Sequence, residues 1–392
     1  MLERLSLFLT LALALVLPIS LTLSWILLGL LFALLVFSKG LKTCLLELKQ
    51  APFIKPVLLF SLVSLLSGLL AAGPGECLAS FSTVRGFAIY PVAYLAFHLG
   101  GHKQGALKTF LLVTAISGLL GACQQLFNVG RFTKYPYLQA TGFLSSPMSY
   151  AGVMQIGAFL SLALAFRYPS IFGGRAQTWT ICLCNFLGLL FAAERSAWLG
   201  MTVAIFAFTM RISKKAFLAG LFTVLCGAIL AFQFVPVVKT RLSALSNWRQ
   251  DVSVTARLTV WEVAVKTFQK KPLSGVGPRN FPRIELNEAV VKGQSEDLNH
   301  GHSNIMHLAA TTGLLGLSAY LFLVLLPLLG LYRSAAIGAS EDELESALAL
   351  GLYAALISLF AAGLFEYNFG SGVVRLNQWF CLAFYKGAAK KD

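Results

Sequence analysis

Three of the chain's five histidines, His300, His302 and His307, fall within one stretch of eight positions. Histidine is the side chain best poised near neutral pH to take a proton, so a general base is the first chemistry to read here. Zinc is a second reading, but the neighbouring Glu296 and Asp297 supply no established ligand spacing, and no metal is expected. A structural histidine at an interface is the third. Arg195 stands in the turn Ala192-Ala193-Glu194-Arg195-Ser196-Ala197-Trp198, squeezed between two apolar runs. An ionisable group at such a boundary is costly and commonly functional. The plainer reading is an arginine that snorkels to headgroups or pairs with Glu194. Arg257 opens a predicted helix from Thr255 to Lys270, in which Val260, Ala264, Val265 and Phe268 share a face, Thr255 is the N-cap and Pro272 ends the run. A guanidinium in a first turn opposes the helix dipole unless an anion such as a phosphate is held beside it. The alternative is a solvated arginine facing Glu262 or Asp251. The following turn, Pro272-Leu-Ser-Gly-Val-Gly-Pro278-Arg279, is by itself a weak glycine-rich signal.

The elements that must position these residues follow from composition. Of 392 residues, 57% are hydrophobic and 12% charged, whereas a soluble domain carries roughly 25% charged residues. A soluble globular protein is excluded. Twelve apolar runs lie near 5–18, 21–37, 56–73, 85–101, 107–127, 146–166, 178–193, 196–210, 216–236, 308–332, 346–365 and 373–385. A transmembrane strand would alternate over about 10 residues, so continuous runs mean helices. The expected fold is an all-α polytopic membrane protein with about twelve transmembrane helices. Residues 1–236 carry the first nine, 237–301 form one large extracytoplasmic loop with helices, and 302–392 carry the last three. Sixteen Lys and Arg fall on the side of the termini and five (Arg85, Arg131, Lys134, Arg195 and Arg375) on the opposite short loops. The positive-inside rule therefore places both termini in the cytoplasm. Met1–Ser20 reads as a retained first span, and the acids Glu341, Asp342, Glu343 and Glu345 as a solvated loop. A net charge of +15 could suggest nucleic acid, but no soluble part is large enough to read a groove. Anionic lipids or phosphates are the better partners. The seven cysteines form no loop-borne disulfide framework.

His302-Ser303, nine residues, Gly313, two residues and Gly316 resembles the His-(Asn/Ser/Gln)-x9-Gly-x2-Gly pattern of bacterial O-antigen ligases. Arg257-Leu-x-x-Trp261 with the Pro272–Pro278 turn, and the Arg195-Ser-Ala turn, are similar to the other signatures of the O-antigen ligase and polymerase family. Arg279 and Thr312 depart from the pattern, which commonly has a small residue and an acid at these places. The resemblance implies a fold like that of the C-type glycosyltransferases, in the bacterial inner membrane, with the site on the periplasmic face. It implies an inverting glycosyltransferase, independent of metal and of any cofactor. The glycan moves from undecaprenyl pyrophosphate to a sugar hydroxyl of lipid A core. His302 is then the base and Arg195 and Arg257 bind pyrophosphate, with Arg85, Arg279, His300 and Arg375 as secondary candidates. The chemistry is consistent. A sugar pyrophosphate carries its own activation, so the reaction needs positive charge on the leaving group and a base for the attacking hydroxyl. The nearest alternative is a polymerase of the same family. A protein O-glycosylating transferase is a further one, and a lipid-linked sugar transporter is disfavoured because few ionisable groups fall at mid-membrane depth.

Overall fold

The computed structural model describes residues 1–127, 139–247, 249, 251–281, 300–336 and 342–387, and among these the regular structure is entirely helical. The helices in chain order are α1 (Leu2–Val16), α2 (Leu21–Lys39), α3 (Leu41–Leu48), α4 (Ile54–Ala72), α5 (Pro74–Val84), α6 (Ile89–His98), α7 (Lys103–Phe127) and α8 (Pro147–Arg167). They continue with α9 (Arg175–Phe191), α10 (Arg195–Met210), α11 (Lys214–Phe234), α12 (Pro236–Ser243), α13 (Val252–Lys270), α14 (Asn304–Ser334), α15 (Glu343–Gly363) and α16 (Gly372–Leu382). Seven of them, α2, α4, α7, α8, α11, α14 and α15, are long and apolar enough to cross a membrane. The other five apolar runs form α1, α6, α9, α10 and α16, which have 15, 10, 17, 16 and 11 residues. The run expected to begin near residue 85 is helical from Pro74, because α5 passes through a 3-10 turn, Arg85–Ala88, into α6.

The most enclosed helices are α8 and α15, each with 83% of its apolar window buried, whereas α11 has 6% and lies at the edge. Lipid tails are as apolar as leucine, so helices in a bilayer associate through close packing and interhelical hydrogen bonds. Both operate here. A Cβ on Gly200 of α10 would lie 2.3 Å from the Ser358 carbonyl of α15, so only glycine admits this approach. At the same level Gln155 of α8 donates to the Ser358 hydroxyl at 2.7 Å. These contacts clamp the start of α10 and the last turns of α15 onto α8.

Charged side chains sort to the two ends of this bundle. Lys103, the first residue of α7, pairs with Glu345 at the start of α15. Arg167, ending α8, donates to the Ala335 carbonyl and to Ser346, and Arg211, after α10, donates to the Tyr332 carbonyl. The acids expected to form a solvated loop are therefore partly engaged. Asp342 caps α15 and Glu345 holds Lys103; Glu341 lies outside the described residues. The start of α10, the start of α14 and the end of α15 share the other end, where Arg195, His302 and Glu366 lie.

One break in α14 shapes that end. Gly313 has φ +62°, and a Cβ there would lie 2.4 Å from the Leu273 carbonyl. The kink frees backbone groups that a straight helix would use internally. The Pro272–Gly277 turn takes them up: Val276 and Gly277 donate to Ala310 and Thr311, and Leu314 and Leu315 donate to Pro272 and Leu273. The glycine-rich turn is thereby a plug for the kink, with its N–H groups on carbonyls. The two motifs, far apart in sequence, fit each other.

Candidate active site

The predicted helix at Thr255–Lys270 forms, but a turn earlier, at Val252–Lys270, because Asp251 is the cap: its carboxylate accepts from Ser253 N at 2.9 Å and Val254 N at 3.3 Å. Arg257 is consequently in the second turn rather than the first, and the helix-dipole argument for an anion beside it lapses. The buried face is Val260 and Ala264 against Phe281 and Ala310, while Val265 is exposed. Trp261, one turn after Arg257, donates to the Gly301 carbonyl at 3.0 Å and so ties α13 to the histidine segment.

Arg195 does not pair with Glu194. Its Nη1 lies 2.7 Å from the Asp251 carboxylate, which joins the start of α10 to the cap of α13. Burial pushes the Asp251 carboxyl up, but Arg195 and the two capping N–H groups outweigh it and hold it below the usual carboxylate range. Arg257 pairs neither with Glu262, which holds Lys266, nor with Asp251. Its Nη2 lies 3.2 Å from the Glu366 carboxylate, and its Nη1 donates to the Ser253 hydroxyl and carbonyl. Arg195 Nη2 also donates to the Ser253 hydroxyl, at 3.5 Å. Two guanidiniums therefore converge on one serine.

His302 is 7% exposed, with its Nδ1 3.8 Å from the other oxygen of Glu366. Glu366 thus stands between Arg257 and His302. Its position comes from the loop after α15. Asn304 donates to Asn368 at 2.9 Å and accepts from Phe369 N at 3.1 Å. Phe369 packs edge-on against Phe60 with ring centroids 5.4 Å apart. Backbone strain marks both motifs: the non-glycine residues at positive φ among the described residues are Ala193 (+54°) and His302 (+42°). Such conformations cost about 1–3 kcal/mol and persist where the surroundings hold them, commonly at active sites.

The remaining histidines differ from one another. His300 lies beside His302 with ring centroids 4.2 Å apart, and its Nδ1 accepts from His302 N at 3.3 Å. His307 is turned away, stacked between Tyr367 at 3.7 Å and Phe281 at 4.8 Å, and is a packing residue. A metal would be offered His300, His302 and Glu366, whose ligand atoms lie within 4.8 Å of one another. Tetrahedral zinc at roughly 2.1 Å from each ligand wants them about 3.4 Å apart, so the set would have to close around an ion. Glu296 and Asp297 lie outside the described residues.

Glu194 shares a cavity with Glu366. The cavity is small and is lined also by Gln155, Ser196, Ala197 and Asn368. The Glu194 carboxyl accepts from Gln139 at 2.8 Å. Burial and the charge of Glu366 push it up to about 7, against the opposing pull of Arg241, Arg257 and Gln139. Among the secondary candidates, Arg279 has an exposed side chain, and its backbone N–H donates to Glu76 at 3.1 Å. Arg375 lies against Phe369, with Nη1 3.5 Å from its carbonyl, and Arg85 lies over the Trp25 ring. Ser253 and Glu366 went unnoticed in sequence, and Asp251 was weighed only as a partner for Arg257, whereas it holds Arg195. Glu366 had a signal, as an acid between two apolar runs in a chain with 16 acids.

The family description O-antigen ligase matches residues 180–321, from α9 to the first half of α14. The match contains Arg195, Arg257 and His302; Arg85, Glu366 and Arg375 fall outside it. No curated protein matches the chain.

Proposed function

The chain belongs to the O-antigen ligase family through residues 180–321, and from that premise we propose that it moves a glycan from undecaprenyl pyrophosphate to a sugar hydroxyl of lipid A core, with inversion and without metal. The observation that carries the reading is one linked set. Arg195 and Arg257 meet at Ser253, and Glu366 spans Arg257 and His302.

Glu366 favours the His302 tautomer with hydrogen on Nδ1, which leaves Nε2 to receive a proton. At 3.8 Å the contact is longer than a hydrogen bond, and contacts of this kind commonly tighten only when substrate is bound. Nε2 takes the proton of the acceptor hydroxyl as its oxygen bonds to the anomeric carbon. The bond from that carbon to the pyrophosphate oxygen breaks, and its electron pair leaves with undecaprenyl pyrophosphate. Arg195 and Arg257 meet the departing charge. Each is held by one carboxylate and keeps donors for phosphate oxygens, since a guanidinium has five N–H groups in a fixed fork. Their side chains are 18% and 21% exposed, enough for contact with a headgroup. The twelve-span arrangement, cytoplasmic termini and periplasmic site belong to the same proposal. The sorting of Lys103, Arg167 and Arg211 to the end opposite the site supports it.

The test is to incubate purified protein with undecaprenyl-pyrophosphate glycan and lipid A core in the absence of added metal. Joined product with inverted anomeric configuration is expected. Elongated lipid-linked glycan without joining to core would make the enzyme a polymerase, and no new glycosidic bond would end the proposal.

A further inference from the structure

Arg195 and Arg257 each have a carboxylate partner; among the described residues Arg375 has none. It belongs to α16, is 8% exposed, and has no acid within salt-bridge distance among the described residues. Its Nη1 reaches the Phe369 carbonyl only at 3.5 Å, and its Nε is buried without an acceptor. The guanidinium lies over the rings of Phe87 and Phe369, 5.6 and 6.0 Å from their centroids. It also lies against Gly86, where a Cβ would be 2.6 Å from Nε. The titratable groups that act on it are Tyr367 and Arg85. Burial pushes the Tyr367 phenol up to about 12, so it brings no negative charge at neutral pH. Arg85 adds a second positive charge. It is exposed and its guanidinium sits 5.4 Å from the centre of the Trp25 ring.

A buried guanidinium without a counter-charge is expensive, and a second cation beside it adds repulsion. Ring faces offset part of this, on the order of 0.5–2 kcal/mol. An anion between the two arginines would offset more and would give Nε an acceptor. Arginine suits phosphate through bidentate geometry, and tryptophan is enriched where a protein meets the headgroup layer.

We propose that Arg85 and Arg375, flanked by Trp25 and the Phe369 loop, form a second anion site that takes the phosphate or pyrophosphate headgroup of a lipid. The site is joined to the active site through Phe369, whose carbonyl faces Arg375 and whose N–H is held by Asn304, two residues from His302. A headgroup bound there stands next to the transfer site. The headgroup has two sources, a prenyl pyrophosphate or an anionic phospholipid of the bulk membrane.

The test uses the full chain in phosphatidylcholine nanodiscs, titrated separately with farnesyl pyrophosphate and with phosphatidylglycerol. Binding is read by calorimetry and by native mass spectrometry. Arg85→Gln and Arg375→Gln should each weaken at least one probe about tenfold, the size of one lost charge-assisted contact. Arg375→Lys should recover part of it. The measurements are repeated in an Arg195→Ala, Arg257→Ala background. A loss for farnesyl pyrophosphate persisting there assigns the site to the pyrophosphate lipid, and a loss for phosphatidylglycerol alone assigns it to bulk lipid. Either supports the proposal. Unchanged binding of both probes overturns it, as does a loss in Arg375→Gln with none in the exposed variant Arg85→Gln. Binding rather than transfer is read, so failure of the glycosyltransferase reading would leave the result intact.

Discussion

Glu366 places one oxygen 3.2 Å from Arg257 Nη2 and the other 3.8 Å from His302 Nδ1, so a single carboxylate orients the proposed base and one of the proposed phosphate ligands. Glu366→Gln keeps the shape and removes the charge, so it should lower kcat by about 10²-fold or more while substrate binding changes less. His302→Ala should cost 10²- to 10⁴-fold at normal protein abundance. Single-turnover assays on the two variants, normalised to folded protein, check this. Equal loss in the double variant and the His302 single variant is expected, because the two residues act as one unit.

Arg195 and Arg257 should not tolerate lysine. The charge is kept, but the fork that reaches a carboxylate and a phosphate together is lost. Arg195→Lys and Arg257→Lys are each expected to lose at least about tenfold in kcat/KM. Inhibition by added pyrophosphate should weaken in both alanine variants. Undiminished inhibition there would return the two arginines to a purely structural role, joining α10 and the α15–α16 loop to α13.

Chelation distinguishes the two uses of the histidine pair. If His302 acts as a base, activity survives EDTA. Loss of activity on chelation with recovery on adding zinc would instead assign His300, His302 and Glu366 to an ion, and His300→Ala would then abolish the zinc response.

The Glu194 carboxyl predicts a pH dependence. Its pKa rises from the ordinary 4.5 to about 7 on folding, so the folded chain binds the proton more tightly than the unfolded one. Stability from this group is complete below about 4.5 and is lost as the pH climbs through 7. Thermal unfolding of Glu194→Gln should therefore gain on the wild type as pH rises across that window. A constant difference between the two would remove Glu194 as the titrating group.

Gly313→Ala should destabilise by about 2 kcal/mol or more, because alanine resists φ +62° and its Cβ meets the Leu273 carbonyl. Lower abundance and an earlier unfolding midpoint are the readouts.

Sequence by itself determined the solvent. Runs of apolar residues with few charges can satisfy their backbone in lipid only as helices, so the helical state of these runs was legible. It also pointed to Arg195 and His302, since a charged or titratable side chain next to an apolar run stands out against its neighbours; Arg257 was singled out by a first-turn position that the Asp251 cap moves to the second turn. Helix ends were less legible: the cap is Asp251 rather than Thr255 because a carboxylate aimed at two free N–H groups outcompetes a hydroxyl one turn later. Partners were decided by tertiary structure alone. Nothing local distinguishes Asp251 from Glu194 as the acid for Arg195, or Glu366 from Glu262 as the acid for Arg257. The choice follows from where α10, α13 and the α15–α16 loop meet. That meeting is set by Gly200 on Ser358, by Asn304 on Asn368 and by the turn that fills the Gly313 kink, contacts between residues far apart in the chain.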